Sequence, residues 1–279
     1  RIPFVYDTAT FSAICSDLAS YPVASAVGAS AAVPFAFVPT VIQTYPNACR
    51  TPLPEWVQQA SENPDAPANL RSYAAALLRY RGGQIPYIKL VDGGITDNLG
   101  LYAFLIARQG STTPYEPLSP ENAVRIRELV LLVVNAGRGP SGDWIKTVQG
   151  PSGTELLAAV SDTLIDSSVR GSLDTLRLAT EEWEKSLIRY RCALSSETVK
   201  RYRGTLNGWR CRDLTIRVTE IDFDLIDDSL RREMDEIPTR FNLPDHQVDL
   251  SIHAARQALV RNPVYRDLLK RYGIPVPAL

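Results

Sequence analysis

Histidine is nearly missing from this sequence: His246 and His253, both close to its end, are the only two in 279 residues. Imidazole is the commonest general base and metal ligand, so any chemistry here has little of it to draw on. An excess of charge is missing too. Thirty Lys and Arg face 31 Asp and Glu, for a net charge of -1 and an isoelectric point near 6.2. No surplus of positive charge remains to neutralise the phosphates of a nucleic acid, which excludes nucleic acid as an expected partner. Long apolar runs are also lacking. The most apolar stretch, Val23 to Val41, is rich in Ala and Ser and is interrupted by Pro34 and Pro39, whereas a spanning helix needs about 20 strongly apolar residues. No transmembrane segment is expected.

The sequence opens at Arg1, its one methionine is Met234, and its first residues lack the basic stretch and apolar run of a signal peptide. The expectation is a chain that begins inside a longer protein. Internal repeats and low-complexity tracts are likewise missing. The four cysteines fall as two couples, Cys15 with Cys49 and Cys192 with Cys211. Two disulfides are possible. Four cysteines allow three pairings, however, and four separate buried thiols remain an equal alternative. Neither a Cys-x-x-Cys pair nor a nearby histidine gives the spacing of a zinc site. An exported or periplasmic location gains modest support from the couples.

What is present alternates between strand and helix signals. Ile2 to Tyr6, Tyr87 to Val91, Leu129 to Asn135 and Leu214 to Phe223 read as strands. Helices are expected over the Ala- and Ser-rich segment that closes at Pro34, over Ala68 to Tyr80 before Gly82-Gly83, and over Leu99 to Arg108 behind a cap at Asp97 or Asn98. Thr154 to Arg189 reads as one or two long helices, and three more begin near Ile226, Pro244 and Pro263. Tyr45 to Pro67 and Pro114 to Pro120 read as loops. The alternation implies an α/β layer fold, with one domain favoured.

Within it, "YIKLVDGGITDNLGL" puts Asp92 where an apolar strand runs out into Gly93 and Gly94. Carboxyl ends of strands are where reactive groups gather in open α/β sheets, and two residues without side chains let another loop approach the carboxylate closely. Such an aspartate suits a base that serves a nucleophile from elsewhere.

At these residues the chain resembles the patatin-like phospholipase family. The family's Asp-Gly-Gly motif ends a strand and is followed four residues later by Asn, as Asn98 follows Gly94, and "YPVASAVGASAAVPFAF" (Tyr21 to Phe37) is similar to the family's Ala- and Ser-rich helix ending in Pro. The resemblance covers about residues 4–108 firmly and 125–190 more loosely, with 190–279 as a family-specific carboxy-terminal extension or small subdomain. It implies a three-layer α/β/α patatin-like fold, truncated at its amino end, and a lipid acyl hydrolase without cofactor or metal. Asp92 would be the general base of a Ser-Asp dyad acting on a lipid or phospholipid ester, with transient contact to a lipid surface. Gly93, Gly94 and Asn98 would support the turn. The family's Gly-x-Ser-x-Gly elbow and Gly-rich oxyanion loop are not in these residues. Gly28-Ala29-Ser30-Ala31-Ala32 imitates the elbow but lacks its last glycine, so Ser30 is read as a small packing residue. Leu99-Gly100 also departs from the family, which often has Pro at Gly100. The chain alone is expected to be inactive, with an unpaired sheet edge.

Two other functions are weighed against this: a non-catalytic lipid-binding relative, and a nucleotide-binding enzyme using Gly137-Arg138-Gly139-Pro140-Ser141-Gly142, which satisfies Gly-x-Gly-x-x-Gly after an apolar strand. Pro140 and Trp144 interrupt the helix such a site needs, and a plain tight turn is preferred. Asp7, Asp97, Asp143 and Asp162 form no spaced cluster for a metal and read as turn or cap residues. The Arg- and Tyr-rich segment from Arg189 to Arg212 reads as a solvated face.

Overall fold

The elements form largely where apolar periodicity and helix caps put them. A computed structural model describes residues 2–34, 37–137, 144, 148–237 and 242–278. It contains helices α1 (Thr8–Ala13), α2 (Val23–Ser30), α3 (Glu55–Glu62), α4 (Ala68–Arg81), α5 (Gly94–Asp97), α6 (Tyr102–Gln109), α7 (Pro120–Arg125), α8 (Gly153–Ala193), α9 (Ser196–Arg203), α10 (Asp228–Glu236), α11 (Asp245–Arg261) and α12 (Pro263–Arg271). Its strands are β1 (Thr40–Gln43), β2 (Tyr87–Leu90), β3 (Glu128–Val134) and β4 (Thr215–Ile221). The fold is thus mixed helix and sheet. The chain divides into two units, residues 1–126 with 167–214 and residues 127–166 with 215–279.

The first unit is built on α4, whose Leu70, Tyr73, Ala74 and Leu77 recur at helical spacing and are buried. Phe11 and Ile14, Val57 and Ala60 of α3, and Ile42 and Ile88 of the strands fill the same core. β1 and β2 run antiparallel with Ile42 opposite Ile88, so both point inward while Val41 and Lys89 face out. Three expectations fail here. Ile2 to Tyr6 is not a strand: its side chains pack on the core, with the Phe4 ring edge-on to Phe11 and the Tyr6 ring tilted against Tyr21, so apolar burial is satisfied without a ladder partner. Tyr45 to Pro67 is not all loop, because Trp56, Val57 and Ala60 suffice to bury one face of α3. Leu99 to Arg108 is not a continuous helix, since Gly100 adopts a left-handed φ of 67° and separates α5 from α6.

α8 is one helix of 41 residues. Val169, Leu173, Leu176, Thr180, Trp183, Leu187 and Arg191 form its buried stripe, three or four residues apart. Among the described residues, no helix is long and apolar enough to cross a membrane. Arg191 corrects the reading of Arg189 to Arg212 as a solvated face. It is 1% exposed, and its guanidinium donates to the carbonyls of Ala123, Ile126, Arg210, Cys211 and Asp213 while lying 4.6 Å over the Trp209 ring.

In the second unit β3 and β4 run parallel in register from Glu128 opposite Thr215 to Val134 opposite Ile221. Ile221, Ile226, Leu230, Met234, Ala254 and Ala258 make its core. Asn262 joins its pieces: buried to 1% exposure, it donates to Thr219 Oγ1 and to the Glu220 carbonyl, both at 2.9 Å, and its Oδ1 accepts from the first amides of α12, those of Val264 and Tyr265. Each sheet has two strands, so every strand keeps one edge without a sheet partner among the described residues.

Three tyrosines of the first unit titrate late. Burial first, then the charge of Asp7, pushes Tyr73 upward. Burial and the neighbouring Tyr21 do the same to Tyr6, and burial with Asp97 pushes Tyr102 up to about 12. In the unfolded chain these phenols ionise near pH ~10. The folded state therefore holds protons that the unfolded state has released, and stability falls as pH rises above that value. The melting temperature should be insensitive to tyrosine ionisation up to about pH 9 and drop steeply from pH ~10; a drop no steeper in wild type than in Tyr73→Phe would remove Tyr73 from this account.

Candidate active site

β2 delivers Asp92, and three main-chain bonds fix the turn that follows. The Asp92 amide donates to the Ala32 carbonyl at 2.9 Å and the Gly93 amide to the Ser30 carbonyl at 3.0 Å, so the chain leaving α2 clasps the strand exit. The amide of Asp97 then donates to the Gly93 carbonyl at 2.9 Å and closes α5. Asp92 is half-buried. Its Oδ1 accepts from the Gly94 amide at 2.7 Å; no donor reaches its other oxygen among the described residues.

Close approach requires a glycine at Gly94 and is tight at Gly93. A Cβ on Gly94 would lie 2.8 Å from Asn98 Oδ1 and 2.9 Å from Asp92 Oδ1, and one on Gly93 would lie 3.2 Å from Ser30 Oγ. The Asp92 carboxylate and the Asn98 amide therefore converge over Gly94, with the Ser30 hydroxyl over Gly93. Gly94→Ala should force the two side chains apart and cost about 1–2 kcal/mol in denaturant unfolding. Gly28→Ala in α2, whose Cβ would meet nothing within 4 Å, should cost nothing. Equal midpoints for the two variants would contradict the crowding.

Asn98 is exposed and follows α5. Asp97 is the cap: its two oxygens accept from the amides of Leu101 and Tyr102 at 2.9 Å each, and the Tyr102 hydroxyl ties α6 to α4 through the Asn69 carbonyl at 3.1 Å. Asp7 caps α1 by accepting from the Thr10 amide at 2.7 Å. Asp162 is an exposed residue of α8. Ser30 stands beside the Asp92 turn through its carbonyl, and no hydrogen bond joins its hydroxyl to the Asp92 carboxylate among the described residues. That clasp by residues 30–32 was not read from sequence, because carbonyl bonds leave no mark on residue type.

The glycine-rich segment fares differently. The Gly137 amide donates to Asn135 Oδ1 at 2.9 Å, whereas residues 138–143, which carry the rest of Gly-x-Gly-x-x-Gly and Asp143, lie outside the described residues. Among the described residues, no group of three His, Cys, Asp or Glu side chains is placed to hold a metal. The cysteines pair as Cys15–Cys49 and Cys192–Cys211, which is compatible with an extracellular location.

Known proteins add nothing to this geometry: no family model, no curated protein and no solved structure matches the chain.

Proposed function

We propose that the chain is the aspartate-bearing part of a patatin-like serine acyl hydrolase, with Asp92 the general base of a Ser-Asp dyad that cleaves a lipid or phospholipid ester. One observation carries the reading. A half-buried carboxylate ends a strand with one oxygen fixed by the Gly94 amide, leaving the other to take a proton from an approaching hydroxyl. An aspartate is a weak base, so contact and shielding must do what basicity does not, and the paired glycines permit that contact. The proton's departure lets the serine oxygen attack the ester carbonyl; as the ester C–O bond breaks, Asp92 passes the proton to the departing alcohol and an acyl-enzyme remains, which water then attacks with Asp92 accepting its proton and returning it to the serine oxygen as the acid leaves.

The surroundings suit a lipid. Val33 next to the clasp and Val91 next to Asp92 are exposed, as are Val27, Phe37, Val38 and Val41 along the chain from α2 to β1, and a lipid surface would cover such apolar side chains. In this reading the serine elbow and oxyanion loop belong to residues outside these 279. They complete a three-layer α/β/α sheet on the strand edges that lack partners here, and the complete protein touches a lipid surface outside the cytosol.

The test is to read the gene immediately upstream of Arg1 and express the joined protein. A Gly-x-Ser-x-Gly after an apolar strand, with hydrolysis of a short-chain nitrophenyl ester that disappears on replacing that serine by Ala, is the expected result. An intact reading frame without the elbow, in a protein that binds phospholipid vesicles and hydrolyses nothing, would overturn the reading in favour of a lipid-binding relative.

A further inference from the structure

The Cys15–Cys49 pair has surroundings that suit chemistry as well as cross-linking. Arg81, in the last turn of α4, donates to the Ser12 carbonyl at 2.8 Å and to the Thr51 carbonyl at 2.7 Å, so its guanidinium is fixed between the segments that the two cysteines join. From there Nη1 reaches Cys15 Sγ at 3.6 Å in a part-buried setting. Cys49 is placed differently. Like Cys15 it is half-buried, but its Sγ meets the Tyr45 carbonyl at 4.0 Å, and neither Arg81 nor the adjacent Arg50 makes a bond to it among the described residues. The two sulfurs of one bond are thus unequal: both are half-buried, but Cys15 alone is backed by a fixed cation among the described residues.

Cys15 has a second peculiarity. Its φ of 59° makes it the one non-glycine residue with a left-handed backbone among the described residues. A side chain with a Cβ adopts that conformation only when its surroundings hold it there. The bridge to Cys49 is one such restraint, and opening the bridge removes it.

In thiol-disulfide exchange the sulfur that is attacked must be accessible, and the better leaving group is the one whose thiolate is favoured by nearby positive charge. We propose that Cys15–Cys49 is a thiol-exchange site at which a low-molecular-weight thiol is captured on Cys49 while Cys15 leaves as a thiolate stabilised by Arg81. The incoming thiol gives its proton to solvent, and its sulfur forms a new S–S bond to Cys49. The Cys15–Cys49 bond breaks with its electron pair going to Cys15. The incoming sulfur is oxidised to the disulfide level as Cys15 is reduced, so no further oxidant or reductant is needed. Cys49 is thereby a modification site, and the released Cys15 is the resolving thiol that can expel the adduct.

The test uses the oxidised chain and reduced glutathione, quenched with acid and mapped by mass spectrometry. In wild type the glutathione adduct should fall on Cys49 rather than Cys15 by about tenfold or more, because the leaving sulfur is the one facing Arg81. Arg81→Gln should slow opening of this bridge by about tenfold, with Arg81→Lys close to wild type, while opening of Cys192–Cys211 in the same tube is unchanged and shows that the variants are folded. An adduct shared equally or found on Cys15 would overturn the proposal. So would an Arg81→Gln variant that opens at the wild-type rate, or one that opens both bridges faster, which would mean that Arg81 acts through the fold alone.

Discussion

Arg191→Met should leave little or no folded protein, with a loss of about 4 kcal/mol or more where unfolding can be followed at all. The guanidinium is 1% exposed and its donors are shared among five carbonyls, from the end of α7 to the 210–213 loop. Methionine fills part of the volume but takes the guanidinium donors from these carbonyls, of which that of Arg210 keeps the Asp213 amide at 3.1 Å. Each buried group so orphaned costs about 1–3 kcal/mol, reduced where water can reach it. Against a usual domain stability of about 5–15 kcal/mol, such a sum decides folding. Arg191→Lys keeps the charge but gathers three donors on one nitrogen, which cannot reproduce the fan, and should recover only part of the loss. Arg189→Met, two residues away with an exposed side chain bridging Glu182 at 3.6 Å, should cost under about 1 kcal/mol. Urea midpoints for the three variants check the ranking; a midpoint for Arg191→Met within about 1 kcal/mol of wild type would show that water replaces the guanidinium.

Asp92→Asn should leave stability almost untouched and lower the rate of ester cleavage by about 10²–10⁴ in the protein that carries its serine. Asparagine keeps an oxygen to accept from the Gly94 amide, so the turn survives. It cannot take a proton, so the serine attacks without base assistance. The loss should appear in kcat, with KM within about twofold, since the carboxylate acts on the nucleophile and not on substrate binding. Near-wild-type kcat in Asp92→Asn would reduce Asp92 to a turn former. Any esterase rate from the 279 residues alone that survived Asp92→Asn would count against the dyad equally.

Much of this architecture could be read from residue patterns. α4 shows its apolar face and ends at Gly82, its C-cap. α11 and α12 open at Pro244 and Pro263, and the unbroken apolar run of Leu129 to Asn135 lies in a parallel ladder. What could not be read depends on pairs distant in sequence. Apolar residues at Ile2 to Tyr6 report burial but not whether a ladder partner exists. The antiparallel partner of β2 is a strand of only four residues directly after Pro39, where proline and small residues hid it. Arg191 was indistinguishable from its solvated neighbours, because an arginine does not declare whether carbonyls or water surround it. At the candidate site, Asp92 and its two glycines were legible as a strand end. The clasp from Ser30 and Ala32 was not, since main-chain carbonyls are common to every residue type.

Asn262 carries a consequence for how the molecule ages. An asparagine usually deteriorates when the next residue's backbone nitrogen attacks its side-chain amide and closes a succinimide ring, which opens to aspartate or isoaspartate. Here that reaction would place a negative charge against Thr219 and the Glu220 carbonyl and remove the donor they share. The following residue is Pro263, whose nitrogen has no hydrogen and cannot close the ring. The proline that opens α12 therefore also protects the asparagine that fastens it, and the junction between β4 and α12 is shielded from the main spontaneous route by which asparagine is lost with time.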